Sequence, residues 1–335
     1  MAPRPRFRSR RVAAVIGLAL VLLVGVTVYA GGGYLAYEQQ SLVQPHCAGR
    51  PYANQTPADF TISADAGSVR PDVAPYHFTD AQDVAFRPRG DDLTIRGWYA
   101  PPRTDGGPVV ILVHGYDSCR RDWNVLLPAG MLHRAGVGVL LIDLRNHGDS
   151  DSDGGRWAGG AKEYRDVLGA WDWLRGQGVA ASRIGVFGVS LGAATTMIAT
   201  GEEPAIAATW EDSGYAGYDV AASEYAETKG YPGWVAEAAI PIGRVLGDPE
   251  LATRDPLREI LQHLGGRPFF IVHGLSDTTI RPHNAIELAV AAAAAGTPVE
   301  PWLVPESEHT REMLFETDRY DQRLTDFFGK ALGAP

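Results

Sequence analysis

The sequence predicts an α/β fold with a mostly parallel sheet covered by helices on both faces, and three observations carry that expectation. From residue 81 onward, short β-branched apolar runs alternate with longer segments of helical pattern. The strand-like runs are apolar throughout instead of alternating with polar residues, which is the pattern of strands buried on both sides. The chain has 335 residues, 45% of them hydrophobic and 21% charged, so it can bury a sizeable core. Only 2 Cys occur, which excludes a disulfide scaffold.

Residues 1–11 form a basic tip holding Arg4, Arg6, Arg8, Arg10 and Arg11 and no acid. The whole chain carries −10, so the other 324 residues carry −15. An acidic body repels phosphates, and no nucleic-acid partner is expected. The tip precedes VAAVIGLALVLLVGVTVYA, nineteen uncharged residues, and the uncharged run continues to Tyr37. At about 1.5 Å per residue, nineteen helical residues reach roughly 28 Å, close to the bilayer hydrocarbon thickness. Residues 12–37 therefore read as a single-pass anchor in the cell membrane. The arginines on its amino side place the rest of the chain outside the cytoplasm. A cleaved signal peptide is the alternative, because Val28 and Ala30 have the small-residue spacing of a cleavage site. The body would then be secreted after cleavage near Ala30.

Residues 38–80 contain Pro45, Pro51, Pro57, Pro71 and Pro75 and read as an extended linker packed along the body. Cys47 lies in this stretch and Cys119 in a later loop. Outside the cytoplasm the two are open to oxidation, and the sequence leaves both a disulfide and two free thiols possible.

The body spans residues 81–335. DVAFRP and LTIRGWYA suggest an opening hairpin; strands are then expected at 109–113, 137–143, 183–187, 205–210, 269–272 and 299–304. Helices are expected at 123–135, 161–175, 191–200, 282–295 and 311–332. The alanines of 291–295 favour helix and Gly296 ends it. Residues 214–266 separate two strands by about fifty residues, long enough for an inserted cap.

The chemistry centres on Gly188-Val189-Ser190-Leu191-Gly192. This G-x-S-x-G follows the strand RIGVF at once and opens the helical LGAATTMIAT, the strand–turn–helix setting of a nucleophile elbow. The glycines admit a sharp turn that leaves the hydroxyl above the sheet, and the helix amino terminus favours negative charge there. A serine hydroxyl needs a base and an acid to orient that base. HGLSDTTI places Asp277 just after one strand, and PESEHTRE places His309 just after another. The order Ser190, Asp277, His309 is the order such a triad takes along the chain. The other histidines read as linker, helix-surface or strand-end residues. Two backbone donors must hold an oxyanion; Leu191 N–H supplies one, and Tyr116 N–H in the loop after VVILV is chosen for the other. The cap aromatics, Tyr215, Tyr218 and Trp234 among them, are candidates for a substrate pocket or for packing of the cap.

LVHGYDS, LIDLRNHGDS, GVSLG, HGLSD and SEH occur in an order that resembles the alpha/beta-hydrolase superfamily over approximately residues 83–332. The nearer likeness is to bacterial membrane-anchored serine hydrolases akin to monoacylglycerol lipases and prolyl aminopeptidases. The resemblance implies an eight-stranded, mostly parallel sheet with a small cap. It also implies a Ser190–His309–Asp277 triad, with Asp143, Arg145, His147 and Asp149 bracing loops instead of binding metal. No cofactor or metal is expected. The expected reaction is hydrolysis of a small-molecule or lipid-like carboxylic ester through an acyl-enzyme. A peptidase or thioesterase using the same triad, or a catalytically silent ligand-binding protein, remains open.

Overall fold

Each apolar run that reads as a strand joins one eight-stranded sheet in the computed structural model, which describes residues 6–333. The strands are β1 (Gln82–Phe86), β2 (Ile95–Ala100), β3 (Val109–Val113), β4 (Gly138–Ile142), β5 (Ile184–Val189), β6 (Ala208–Asp212), β7 (Phe269–Gly274) and β8 (Trp302–Val304). Their order is β1-β2-β4-β3-β5-β6-β7-β8. The hairpin β1–β2 is antiparallel, β2 runs antiparallel to β4, and every later pairing is parallel. Parallel neighbours need a crossover, and helices supply it.

The helices are α1 (Arg6–Ser41), α2 (Trp123–Arg134), α3 (Tyr164–Gly176), α4 (Leu191–Glu202), α5 (Tyr218–Thr228), α6 (Trp234–Leu246), α7 (Pro256–His263), α8 (His283–Ala294), α9 (Glu312–Phe315) and α10 (Thr317–Leu332). Asp122 caps α2 by accepting from Asn124 N–H, and Asp255 caps α7 by accepting from Leu257 N–H at 3.0 Å. The sheet buries both faces. On β3, Val110 and Leu112 pack with Leu126, Phe187 and Phe328 on one side, while Val109, Ile111 and Val113 pack with Leu168, Ile198 and Ile206 on the other. A fully buried side chain of this size contributes about 1.5–3 kcal/mol, so neither face can be given up.

Three expectations shift. The strand expected at 205–210 is formed by Ala208–Asp212, because Ala207 N–H still bonds Ile184 O at the strand's entry and two carboxylates, Glu211 and Asp212, complete it in full burial. The helix expected at 311–332 is two helices, broken at Glu316, whose φ −128 and ψ 44 are not helical. The segment 214–266 holds three helices: α5 packs on α6 and α6 along α1, whereas α7 packs on α4 and α8 in the body.

Residues 42–80 lie along the body, whereas 38–41, expected in the linker, are the end of α1. Phe60, Ile62, Val73, Tyr76 and Phe78 are buried in the same core as α2, and a Cys47–Cys119 disulfide ties the segment to the loop after β3. Residues 1–5 of the basic tip, Arg4 included, lie outside the described residues. Helix α1 has 36 residues, and its most apolar window averages a mean hydropathy of 2.6 with none of it buried. It is long and apolar enough to cross a membrane. It also continues past Tyr37, and its carboxyl end packs along α6: a Cβ on Gly33 would sit 2.6 Å from Ile242 and 2.8 Å from Ala238.

Candidate active site

The carboxyl ends of β5, β7 and β8 converge, which is where open α/β sheets place ligands. Ser190 follows β5 with φ 54 and ψ −120, a strained conformation for a residue with a side chain. The neighbouring glycines permit it. A Cβ on Gly192 would strike the carbonyls of Val113 and His114, and one on Gly188 would strike the backbone of Gly192. Ser190 Oγ is thereby held above the sheet, 2.9 Å from His309 Nε2.

His309 sits in the loop after β8 and turns Nδ1 to Asp277 Oδ2 at 2.7 Å. With the Nδ1 proton donated to the carboxylate, Nε2 is left to accept the serine proton, a tautomer fixed by its neighbours. The loops carrying the acid and the imidazole are joined, since Ser276 N–H donates to Ser307 O at 2.9 Å. Asp277 is buried; its other oxygen accepts from Thr279 N–H at 2.8 Å and Ile280 N–H at 2.9 Å. Burial alone would raise its pKa, but the two imidazoles of His309 and His273 hold the carboxyl below the usual carboxylate range. His273 is a partner that sequence reading missed. Its Nε2 donates to Ile280 O at 2.8 Å and stands 3.4 Å from Asp277 Oδ2. Its position five residues after Pro268, at the end of β7 and four before Asp277, was the only signal.

A second buried layer lies beneath. Ser213 Oγ donates to Asp212 Oδ1 at 2.9 Å and accepts from Thr310 N–H at 3.2 Å, so it fixes the residue after His309. Tyr320 O–H donates to Asp212 Oδ2 at 2.6 Å. Burial pushes Glu211 up to about 8, and it raises Glu312 as well, where the adjacent Asp212 adds like charge.

The residues chosen as oxyanion donors lie beside the serine. Leu191 is the first residue of α4, where a backbone N–H has no intrahelical acceptor. The loop after β3 passes over the serine so closely that a Cβ on Gly115 would be 3.3 Å from Ser190 Cβ, and Tyr116 follows. The Tyr116 hydroxyl donates to Leu42 O at 2.7 Å.

Above the serine is a cavity of about 450 Å³. Tyr215 and Tyr218 line it, together with Tyr116, Trp157, Tyr225 and Ile280. Trp234 is not among its lining residues. Its ring stacks on Tyr29 of α1, with centroids 6.0 Å apart, because α6 packs along α1. Gln39 and Gln40, at the end of α1, form part of the wall. They are positioned by Trp157, whose indole N–H donates to Gln40 O at 2.6 Å, and by Arg156, which reaches Glu38 at 2.8 Å. Sequence patterning carried no signal for this, since the uncharged run ends before them.

The four loop residues fall where bracing requires. Asp143 is buried against Arg120 and accepts from Arg120 N–H and Asp149 N–H, each at 2.8 Å. Asp149 also accepts from Arg121 at 2.7 Å. Arg145 is clamped by Asp166 and Asp91, each at 2.7 Å. His147 Nε2 accepts from Asp117 N–H at 3.3 Å, and burial pushes its pKa down to about 3.

The fold has known counterparts. An esterase from Pyrococcus furiosus, Pf2001, superposes with a TM-score of 0.64 at 22% identity, over 87% of this chain and 99% of that one. A puromycin-hydrolyzing peptidase from Mycobacterium tuberculosis superposes with a TM-score of 0.63 at 20% identity, over 80% of this chain and 41% of the other. Among curated proteins, Thiohydrolase aneE of Aspergillus aculeatus is 31% identical over 110 residues, 32% of this chain and 33% of that protein. Polyketide transferase af380 of Aspergillus fumigatus is 32% identical over 141 residues, 41% of this chain and 47% of its own length. The chain thus spans a third to a half of the curated relatives it matches. The model of the prolyl oligopeptidase family, Peptidase_S9, matches residues 124–335, from α2 through the loops that carry Ser190, Asp277 and His309. The chain is an alpha/beta hydrolase and belongs to the prolyl oligopeptidase family.

Proposed function

We propose that the protein is a serine esterase acting on carboxylic esters with an apolar acyl group. The observation that carries the reading is the hydrogen-bonded series Ser190 Oγ, His309 and Asp277 opening onto the tyrosine-lined cavity. His309 Nε2 takes the Ser190 proton as Oγ attacks the acyl carbonyl. Asp277 stays ionised and stabilises the imidazolium. The oxyanion meets Leu191 and Tyr116 N–H, with the amino terminus of α4 behind it. His309 then protonates the leaving alcohol, and water repeats the sequence to free the acid and Ser190.

The cavity wall favours an ester over a free peptide amine. Among the described lining residues Lys229 and His309 are basic and none is a carboxylate, so an α-ammonium would meet no ion-pair partner there. Membership in the prolyl oligopeptidase family favours an amide as the second reading, and the match to a thiohydrolase keeps a thioester within the same chemistry. The apolar stretch of α1 is read as a retained anchor with the body outside the cytoplasm, in line with the arginines before it; cleavage near Ala30 is the alternative.

The deciding experiment compares nitrophenyl esters, acyl thioesters and aminoacyl anilides on wild type and Ser190→Ala, with fluorophosphonate labelling in parallel. Ester turnover should dominate and fall by at least about 10⁴-fold in Ser190→Ala. Faster anilide cleavage would make it a peptidase, and folded wild type that takes no label would make it a binding protein.

A further inference from the structure

Helix α6 runs beside α1 in the same direction, and their contacts fix its height relative to the apolar run. Trp234, at the start of α6, stacks on Tyr29 and would lie 3.2 Å from a Cβ on Gly32. Ala238 and Ile242 face Gly33, and further along Gly243 and Gly247 face Tyr37. The start of α6, and the turn 229–233 that leads into it, therefore sit level with Tyr29 and Ala30, where the nineteen apolar residues end. Gln39 lies ten residues further along α1, about 15 Å away at 1.5 Å per residue.

That level carries exposed aromatic rings from both elements: Tyr29 at 44%, Tyr231 at 57% and Trp234 at 38% exposure. Amphipathic rings at the end of an apolar helix are the pattern of a bilayer interface. Tyr231 and Lys229 of this turn also line the cavity that reaches Ser190, while Gln39 and Gln40 line it on the anchor side. The cavity thus joins the level of the aromatic rings to the level of the serine, with α5 on one flank and the end of α1 on the other.

We infer that the turn between α5 and α6 rests in the headgroup layer of the same membrane that holds α1, and that the cavity opens there, so that the substrate is an acyl ester drawn from the bilayer. This rests on the esterase reading and on α1 being embedded. The occupant of the exposed Tyr231 and Trp234 surface is the lipid surface, by continuity with the exposed apolar side chains of α1 just below it. Entry from that side lets the acyl chain pass from lipid into an apolar cavity without crossing water, while the ester group climbs toward Ser190.

The test uses the full chain in phosphatidylcholine nanodiscs with a polarity-sensitive fluorophore on an introduced cysteine. The Tyr231→Cys site should show blue-shifted emission, quenched by lipids spin-labelled near the acyl carbonyl. Val290→Cys, exposed on α8, should remain water-like, and Leu20→Cys should be quenched by labels deeper in the chain. Quenching at residue 20 with water-like emission at residue 231 overturns the inference while leaving the anchor intact. No quenching at residue 20 removes the anchor itself. A blue shift at 231 that no lipid label quenches signals a protein contact and overturns the inference too. In a second arm, Trp234→Ser should lower turnover of a long-chain ester dissolved in the disc at least fivefold while soluble nitrophenyl acetate stays within twofold. Equal loss on both substrates contradicts entry from the membrane, and retained loss of neither does the same.

Discussion

His273 and His309 approach the same oxygen of Asp277, Oδ2, at 3.4 and 2.7 Å. Only His309 touches the serine; His273 stands behind the carboxylate, fully buried, as a positioning residue. Replacing it with Ala should lower kcat roughly tenfold with KM within twofold, because it alters how firmly the acid holds His309 and not the cavity. His273→Gln, which keeps a donor toward Ile280 O, should recover part of the loss. Wild-type kcat in both variants would deny the role.

Asp277 itself has its pKa depressed in the folded state. Its contribution to stability is therefore complete above the ordinary carboxylate value of about 4 and is lost as pH falls below it. Asp277→Asn should cost about 10³–10⁴-fold in kcat through the wrong imidazole tautomer, and should make the thermal midpoint less sensitive to pH below about 4. Midpoints and kcat measured from pH 3 to 8 check both.

Glu211 behaves in the opposite sense. Burial raises it to about 8 from 4.5, so between those values the folded chain binds the proton and the unfolded chain does not. Its contribution is complete below pH 4.5 and fades as pH rises toward 8. Glu211 Oε2 accepts from Gly214 N–H at 2.8 Å, which Gln can also do. Glu211→Gln should flatten the fall of the thermal midpoint between pH 5 and 8, and an unchanged slope would place the proton elsewhere.

The Cys47–Cys119 bridge closes a 72-residue separation. On the loop-entropy account its removal costs about 4 kcal/mol. Urea unfolding of Cys47→Ser/Cys119→Ser should show that loss, and reductant should shift wild type but not the double variant.

Tyr116 serves twice, through its N–H beside the serine and through its hydroxyl on Leu42 O. Tyr116→Phe keeps the first and loses the second, a hydrogen bond of about 1 kcal/mol. KM for apolar esters should rise up to about fivefold as the cavity wall loosens, with kcat little changed. A fall in kcat alone would tie the ring to the reacting atoms.

The central strands and the hydrogen-bonded Ser190, His309 and Asp277 were legible because each rests on local pattern: β-branched runs bounded by turn residues, and a serine, an acid and a histidine each directly after such a run. β6 was misjudged at its end because Glu211 and Asp212 look like surface residues, and only their burial among Ser213, Tyr320 and Glu312 reveals them as strand. The disulfide was open because two cysteines carry no geometry. Trp234 read as a pocket aromatic, yet it belongs to the contact between α1 and α6, which joins residues some two hundred apart in the chain. Gln39 and Gln40 were missed for the same reason, since a cavity wall contributed by a distant helix leaves no local periodicity to read.

The unbroken course of α1 from Arg6 to Ser41 sets where the chain may safely be shortened. A soluble version begun at residue 42 would discard Tyr37, Gln39 and Gln40 together, baring α6 and removing one side of the chamber above the serine. One begun at Gly31 would keep all three. The edge of the hydrolase therefore falls ten residues earlier than the end of its first helix.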